Sequence, residues 1–351
     1  MNKLLFLGDL YYDYNQITDD IEKLSKWIQA NEYVTIVNLE GSIRSNADNP
    51  IKKRGPNLAN SSAVVDVLKK LNVIGVCLAN NHTMDFGSEA LAETLHKLDE
   101  NGIKHTGAGL DIHQALRPMT FEIEDKTYAV INFGWDVEET VYASETLPGC
   151  APREKAVILD TIRQVSKTAD RVIVCLHWGF EYNRLPMPRD IALAHNIIDA
   201  GAELIIGHHP HCVQPKETYS NKSIYYSLGN FYFSSRRDKF KKEFKESIIS
   251  QSDFGAMVSY DPITQKDKHF IIQYNRLSKT SELNSEVSDL VLEDITGINY
   301  SDYSYKVRCK KRKRNTNPIL SLNEKRNIAA IHRLYAFYDL KQFIKSLLYN
   351  A

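Results

Sequence analysis

The chain has 351 residues, of which 43% are hydrophobic and 25% are charged. These proportions are typical of an ordinary soluble globular protein that can bury a substantial core. Its 44 basic and 44 acidic side chains give a formal net charge of zero. No global electric field therefore favours binding to nucleic acid, and we predict no nucleic-acid partner.

Cysteine usage and hydropathy predict the compartment. The five cysteines are scattered and form no Cys-x-x-Cys pair, which argues for a reducing environment and against a disulfide framework. The apolar stretch at the N-terminus is too short for a signal peptide. No stretch approaches the roughly 18 apolar residues of a transmembrane segment. We therefore expect a cytoplasmic protein without a transmembrane segment, and peripheral attachment at the inner membrane is the alternative.

Strands and helices alternate through about residue 235. Apolar and β-branched runs predict strands at 4–7, 33–37, 74–78, 127–133, 172–176, 204–206 and 224–226. Capping residues and apolar stripes predict helices that begin near residues 18, 61, 88 and 188, and a further helix around 156–165. This alternation is the signature of an α/β layered fold.

The polar segment from 45 to 60 interrupts this alternation. It reads as a loop and carries a basic cluster with Lys52, Lys53 and Arg54. Such a cluster is usually a solvated face, and contact with an anionic substrate is the alternative.

The last third of the chain has a different composition. Two strand-like runs at 255–260 and 268–274 predict a hairpin at the sheet edge. The basic run 308–314 predicts a solvated surface, with contact to anionic lipid or polymer as the alternative. Apolar spacing after Pro318 predicts an amphipathic C-terminal helix. The predicted division is thus a domain of residues 1–275 and a C-terminal extension of residues 276–351.

Polar side chains of metal-binding types follow the predicted strands. They are Asp9, Glu40, Asn81, His82, His177, His209 and His211. In an α/β sheet the C-terminal strand ends gather at one edge, where ligands bind. On an extended segment His209 and His211 point to the same side, whereas His208 points away, toward packing or substrate. Carboxylate, amide and imidazole groups together suit a divalent ion such as Mn, Fe or Zn.

We predict two metal ions. One takes three ligands: Asp9, Glu40 and His211. The second shares Glu40 as a bridge and takes three further ligands: Asn81, His177 and His209. Two such ions about 4 Å apart can activate water and stabilise both oxygens of a hydrolytic transition state.

Further roles are predicted around these ligands. His82, or His177, is the expected general acid, with an outer position near the metal as the alternative for His82. Asp85 either orients His82 or caps the following helix. The predicted substrate contacts are Glu181, Tyr182, Asn230 and His208. Glu181 and Tyr182 could instead brace His177, and Asn230 could instead serve turn geometry.

The ordered series of motifs resembles the calcineurin-like metallophosphoesterases and, more closely, the CapA family of poly-γ-glutamate (capsule) biosynthesis proteins. The resemblance covers residues 3 to about 235 and rests on seven blocks: Gly8-Asp9, Asn38-Leu39-Glu40-Gly41, Ala79-Asn80-Asn81-His82-x-x-Asp85-x-Gly87, Gly107-Ala108-Gly109, His177-Trp178-Gly179-x-Glu181-Tyr182, His209-Pro210-His211 and Ser227-Leu228-Gly229-Asn230-Phe231. Phosphoesterases of this fold usually have Asp-x-His in the first block, whereas here Leu10 and Tyr11 follow Asp9. Glu40 stands where an aspartate usually bridges the two ions.

The resemblance implies a four-layered αββα sandwich of the metallophosphoesterase type over residues 1–275, followed by the C-terminal extension. It also implies a role with poly-γ-glutamate or a related cell-surface polymer, together with capsule-biosynthesis partners. We therefore expect a metal-dependent hydrolase of an amide or phosphoester bond whose substrate is such an anionic polymer or a related small molecule. The alternative is a non-catalytic metal- or polymer-binding component of a capsule-assembly complex.

Overall fold

A computed structural model describes residues 3–44, 49–53, 55–135, 140–234, 250–275, 280–284 and 296 of the protein. The predicted C-terminal helix and the basic run 308–314 lie outside these residues. The chain divides into a compact unit of residues 1–296 and a second unit of residues 297–351. The boundary predicted after residue 275 falls inside the first unit, because its larger sheet continues through Thr280–Asn284.

The strands are, in chain order, β1 (Lys3–Tyr11), β2 (Tyr33–Leu39), β3 (Ser42–Ile43), β4 (Ala59–Asn60), β5 (Val73–Cys77), β6 (Lys104–Thr106), β7 (Ala108–Gly109), β8 (Met119–Ile123), β9 (Lys126–Gly134), β10 (Gly149–Cys150), β11 (Arg171–His177), β12 (Ala202–His208), β13 (Lys216–Tyr219), β14 (Lys222–Tyr225), β15 (Asn230–Phe233), β16 (Phe254–Asp261), β17 (Lys266–Asn275) and β18 (Thr280–Asn284). The helices are α1 (Asp19–Ala30), α2 (Val64–Lys70), α3 (Gly87–Glu100), α4 (Ile112–Ala115), α5 (Lys155–Val165) and α6 (Pro188–Asp199).

Two large sheets organise these strands. The larger sheet has the order β18-β17-β16-β1-β2-β5-β6, with β15 also pairing with β1, and the smaller has the order β13-β14-β12-β11-β9-β8. β1, β2 and β5 pair in parallel in the first sheet, and β9, β11 and β12 pair in parallel in the second. The predicted hairpin of β16 and β17 is confirmed. Its predicted edge position is wrong, because β18 adds a further strand beyond β17.

The core lies in layers on both faces of the larger sheet. Between the sheets lie buried side chains of both, among them Leu4, Phe6, Ile36, Val130, Ile173, Leu204 and Ile206. The opposite face of the larger sheet packs against apolar side chains of α1, α2 and α3, including Ile21, Leu24, Val67, Leu68, Leu91 and Leu98. On the smaller sheet, α6 packs against β12 and α5 packs against α6. The predicted four-layered αββα sandwich is therefore confirmed.

β1 is longer than predicted, and this moves the first site residue into a strand. The apolar run predicted an end at Gly8-Asp9, but β1 continues to Tyr11. Its pairing with β15 shifts register between Asp9 and Leu10, so Asp9 sits at an irregularity inside the strand. The backbone N–H of Asp9 donates to the carbonyl of Gly229 over 2.9 Å.

Replacing Gly8 with alanine is expected to lower the free energy of unfolding by about 3 kcal/mol, since overpacking forces the backbone to shift. A Cβ atom at Gly8 would lie 2.1 Å from the carbonyl oxygen of Gly229. The matched control is Gly102→Ala, where φ is +66° but no heavy atom lies within 4 Å. It should cost about 1 kcal/mol from backbone strain. Urea unfolding in the presence of a chelator measures the free energy of unfolding of both variants. Equal losses in Gly8→Ala and Gly102→Ala would contradict the prediction.

Candidate metal centre

The site forms where the C-terminal strand ends of the two sheets meet. The larger sheet supplies Asp9 inside β1, Glu40 directly after β2, and a loop after β5. The smaller sheet supplies His177 at the end of β11 and the loop that follows His208, the last residue of β12. These groups were predicted along one edge of a sheet, whereas the structure brings them together from two sheets.

Asp9, Glu40 and His211 form a buried set that could hold a metal ion. One ligand atom from each lies within 4.8 Å of the others. Nδ1 of His211 is 3.4 Å from Oδ2 of Asp9, and Nε2 is 3.5 Å from Oε1 of Glu40. The two carboxylates are 0% exposed and His211 is 6% exposed. We call these three residues the carboxylate–histidine set, and they are the ligands predicted for the first metal ion.

The residues predicted for the second ion lie beside this set. Nε2 of His177 is 2.9 Å from Oδ1 of Asn81. The ring centroids of His177 and His209 are 4.7 Å apart, and those of His209 and His211 are 6.1 Å apart. The backbone N–H of His209 donates to Oδ2 of Asp9 over 3.3 Å. Groups from separate loops and strands thus converge on one buried region.

Two of these histidines present nitrogen atoms that suit a metal. Both ring nitrogens of His209, and Nδ1 of His177, are buried without a hydrogen-bond partner in the described part of the chain. Burial, and then the charge of His211, lowers the pKa of His209 to about 3. Burial, and then His209, holds the pKa of His177 well below 6.5. Neutral imidazoles with free lone pairs beside buried carboxylates are the donor set that a divalent cation requires, so the residues fit a metal.

The pKa values of Asp9 and His211 shift in opposite directions, and contacts between the two side chains contribute to both shifts. Burial would raise the pKa of Asp9, but hydrogen bonds to His208 and His211 outweigh burial and hold it well below its usual value. Burial would lower the pKa of His211, but the charge of Glu40 and contacts with Asp9 outweigh it and raise that pKa well above 6.5. Both shifts indicate buried negative charge at this position, which a protonated histidine or a metal cation would stabilise.

His208 was predicted to face packing or substrate, and the structure places it against Asp9 in the candidate metal centre. Its Nδ1 lies 3.2 Å from Oδ1 of Asp9. Burial would lower its pKa, but hydrogen bonds to Asp9 and to the thiol of Cys175 raise it to about 9. A substrate contact for His208 stays a prediction, whereas its contact with Asp9 indicates support of a ligand.

Replacing His208 with glutamine is expected to weaken metal binding by roughly 10- to 100-fold, the usual effect of losing a residue that orients a ligand. Isothermal titration of the metal-depleted protein measures this. His96→Gln is the control, because the His96 side chain is 69% exposed on α3. If His208→Gln bound metal with the same affinity as the control, His208 would contribute only packing and would not orient a ligand.

The chain conformation around the histidines differs from the extended segment assumed in the sequence analysis. The φ angle is +96° at His209 and +54° at His211, and it is +55° at Tyr182. These non-glycine residues occupy a region that costs free energy, and such conformations cluster at functional sites. His209 and His211 therefore meet at the centre through a turn and not through strand alternation.

The predicted general acid and its neighbour are in contact. Nδ1 of His82 lies 2.7 Å from Oδ2 of Asp85, which agrees with the predicted orienting role. Nε2 of His82 lies 3.7 Å from Oε1 of Glu40. Burial lowers the pKa of His82 to about 4, although Asp85 opposes this effect. His82 therefore borders the centre as a neutral imidazole.

The predicted substrate residues lie on one side of His211. Oδ1 of Asn230 is 2.9 Å from Nδ1 of His211. The ring of Tyr182 is 6.1 Å from that of His211, and its backbone N–H donates to Pro210 over 2.8 Å. The charge of Glu181 contributes to the raised pKa of His211. The contact of Asn230 with His211 would orient a predicted metal ligand, and contact of these residues with a substrate stays a prediction.

Sequence reasoning missed two residues that shape the site. Nδ2 of Asn38 donates to Oδ1 of Asp9 over 2.9 Å, although Asn38 was quoted only as part of a motif. Lys53, assigned to a solvated basic face, forms a buried ion pair with Asp85. No signal in the sequence separates Lys53 from its exposed neighbour Lys52.

The structure gathers buried carboxylates and imidazoles at the strand ends of a four-layered αββα sandwich. The family model described as "Bacterial capsule synthesis protein PGA_cap" matches residues 3–235. The chain belongs to this family, which includes the CapA proteins of poly-γ-glutamate capsule biosynthesis.

Individual relatives and solved structures are also similar. "PGA biosynthesis protein CapA" of Bacillus subtilis is 36% identical over 170 residues, covering 48% of this chain and 45% of that protein. "Capsule biosynthesis protein CapA" of Bacillus anthracis is 33% identical over 183 residues, covering 50% and 44%. The chain thus spans less than half the length of these curated relatives. The crystal structure of a 5'-nucleotidase precursor from Thermus thermophilus aligns with a TM-score of 0.47 and 12% identity, covering 80% of this chain and 54% of that one.

None of the helices in the described residues combines the length and the apolar character needed to cross a bilayer. Cys77, Cys150, Cys175 and Cys212 are buried free thiols, and Cys309 lies outside the described residues.

Proposed function

We propose that the protein is a metal-dependent hydrolase that cleaves an amide or phosphoester bond in poly-γ-glutamate or a related anionic substrate. The observation that carries this proposal is the buried carboxylate–histidine set, flanked by His209 with both ring nitrogens lacking a hydrogen-bond partner in the described chain. A site that only filled space would not bury two carboxylates beside unpaired imidazole nitrogens, because each such group costs free energy.

Two divalent ions, of Mn, Fe or Zn, are proposed at the centre. The carboxylate–histidine set would hold one ion, and the second would share Glu40 and use Asn81, His177 and His209. Such ions supply Lewis acidity that activates water and neutralises negative charge on the scissile group. Glu40 and Asp9 supply the negative charge that retains them, and Asn38 and His208 orient Asp9.

The protein's own residues would carry the proton transfer. Asp85 holds the ring of His82 through Nδ1, so its Nε2 would accept a proton from the attacking water and then pass that proton to the leaving group. His177 is the alternative proton donor, and its Nε2 lies 2.9 Å from Asn81. Glu181 and Tyr182 border His211 and are proposed to contact the substrate.

The family gives the biological context of the proposal. Relatives are named for biosynthesis of a poly-γ-glutamate capsule, which is an anionic polymer. We propose that this chain acts on that polymer or a related small molecule, with capsule-biosynthesis proteins as partners, from a cytoplasmic location.

A second candidate function is a non-catalytic, metal- or polymer-binding role in a capsule-assembly complex. The observation that favours it is depth: Asp9 and Glu40 are both 0% exposed. A metal held so deeply could serve structure alone.

Metal analysis combined with two assays separates these functions. The wild type and a His209→Ala/His211→Ala variant are loaded with Mn or Zn, and metal content is measured by elemental analysis. Both are then assayed on poly-γ-glutamate and on an aryl phosphodiester. The proposal expects about two metals per chain and turnover of one substrate in the wild type, with both lost in the variant. Metal without turnover supports the second candidate. A wild type that holds no metal and turns over neither substrate contradicts the hydrolase and leaves only polymer binding.

A further inference from the structure

One lysine of the basic segment 45–60 is buried at the metal centre. The side chain of Lys53 is 1% exposed, whereas its neighbour Lys52 is exposed. Its ammonium group forms an ion pair with Oδ1 of Asp85. It also donates to the backbone carbonyl of Asn81 over 3.1 Å and lies 3.1 Å from Nδ1 of His82. The predicted solvated face is therefore wrong for this lysine.

The segment that carries Lys53 is tied to Asp85 on both sides. The backbone N–H of Ile51 donates to the carbonyl of Asp85 over 2.8 Å, and that of Leu58 donates to Oδ2 over 2.7 Å. Nδ2 of Asn57 donates to the same carbonyl over 3.3 Å. These bonds hold the loop at Asp85, so the ammonium group reaches the centre from a fixed backbone.

The geometry fixes the orientation of His82. A separation of 2.7 Å between Nδ1 and Oδ2 of Asp85 is a hydrogen bond in which Nδ1 carries the proton. The lone pair is then on Nε2, which lies 3.7 Å from Oε1 of Glu40. Because Lys53 binds the other carboxylate oxygen, Asp85 cannot turn without breaking a buried ion pair, which is strongly unfavourable.

We propose that Lys53 is a positioning residue of the metal centre. It clamps the carboxylate of Asp85, so that the ring of His82 keeps Nε2 toward Glu40. The effect on catalysis rests on the proposed hydrolytic function, whereas the effect on the orientation of His82 does not. Lys53 acts through Asp85 and is not one of the proposed metal ligands.

The test is a double-mutant cycle of Lys53→Met, Asp85→Asn and the combined variant, with Lys52→Met as the matched exposed control. Metal content, melting temperature, kcat and KM are measured for each protein loaded with Mn. Crystal structures of the wild type and of Lys53→Met show the His82 ring directly. The combined variant keeps the test possible if a single variant fails to fold, because it leaves no buried charge uncompensated.

We expect Lys53→Met to lower kcat by roughly 10- to 100-fold, with KM within about twofold and metal content unchanged. The kcat of the combined variant should fall no further than that of the less active single variant, since both residues act through one contact with His82. In the Lys53→Met crystal the His82 ring should occupy more than one orientation. Lys52→Met should match the wild type.

Several results would overturn the proposal. They are losses that multiply in the combined variant, a change in KM alone, or a His82 ring that keeps its wild-type orientation in Lys53→Met. If the single variants fail to fold, a wild-type orientation of His82 in crystals of the combined variant would also overturn it. A wild type without turnover defeats the proposed function, and the orientation of His82 in the crystals then still decides the role of Lys53.

Discussion

Replacing Glu40 with glutamine is expected to reduce bound metal to less than about one-tenth of the wild-type content and to lower hydrolysis by about 100-fold or more. Glu40 is 0% exposed, and its Oε1 lies 3.5 Å from Nε2 of His211 and 3.7 Å from Nε2 of His82. Glutamine keeps the shape of the side chain but removes the negative charge that a hard or borderline cation prefers. Elemental analysis and the hydrolysis assays measure both effects.

Glu203→Gln is the matched control for this variant. Glu203 is also a buried glutamate, at the opposite end of β12 from His208, where it accepts from Lys222 over 2.6 Å. Removing the Glu203 carboxylate should lower the free energy of unfolding without changing the metal content. If both variants lost metal equally, the effect would come from general destabilisation and Glu40 would not be a ligand.

Removing metal with a chelator is expected to lower the melting temperature by on the order of 10 °C. A ligand that binds only the folded state at roughly 1,000 times its dissociation constant stabilises that state by about 4 kcal/mol. For a domain of this size, each kcal/mol corresponds to roughly 2–4 °C. Without the cation, the carboxylates of Asp9 and Glu40 remain buried close to each other, which adds to the loss. Thermal unfolding with Mn, with Zn and with chelator measures the shift.

The same scan has an internal control. Glu40→Gln should melt at a temperature that does not depend on metal, since the binding site is lost. Magnesium, which dehydrates reluctantly and prefers oxygen ligands, should shift the wild type less than Zn. A chelator-induced shift of equal size in Glu40→Gln would place the stabilising metal elsewhere in the molecule.

Much of the fold follows from local pattern. The stripe of Ile21, Leu24 and Ile28 predicted α1, and all three residues are buried against the larger sheet. The apolar run from 172 to 176 predicted β11, which is Arg171–His177. These elements are predictable because their side-chain periodicity is a property of neighbouring residues, which the sequence displays directly.

The chemistry of the site is also visible in the order of its residue types. Asp9, Glu40 and His211 are donors suited to divalent ions, and each was expected near a strand end on that basis. The structure brings these three together, and their assignment to one metal ion stays a prediction. What failed was local detail: the turn at His209, with φ of +96°, replaced the extended segment expected there.

The remaining features depend on contacts between distant parts of the chain. Asp9 and His209 are 200 residues apart in sequence and meet only because two separate sheets pack face to face. Lys53 looks like Lys52 in the sequence, and only the loop held at Asp85 buries one and exposes the other. The main strands and helices and the donor types are predictable from the linear chain, since they arise from short-range periodicity and side-chain chemistry. Which donors share a centre, and which lysine supports it, depends on packing, because burial and long-range pairing exist only after the layers have packed.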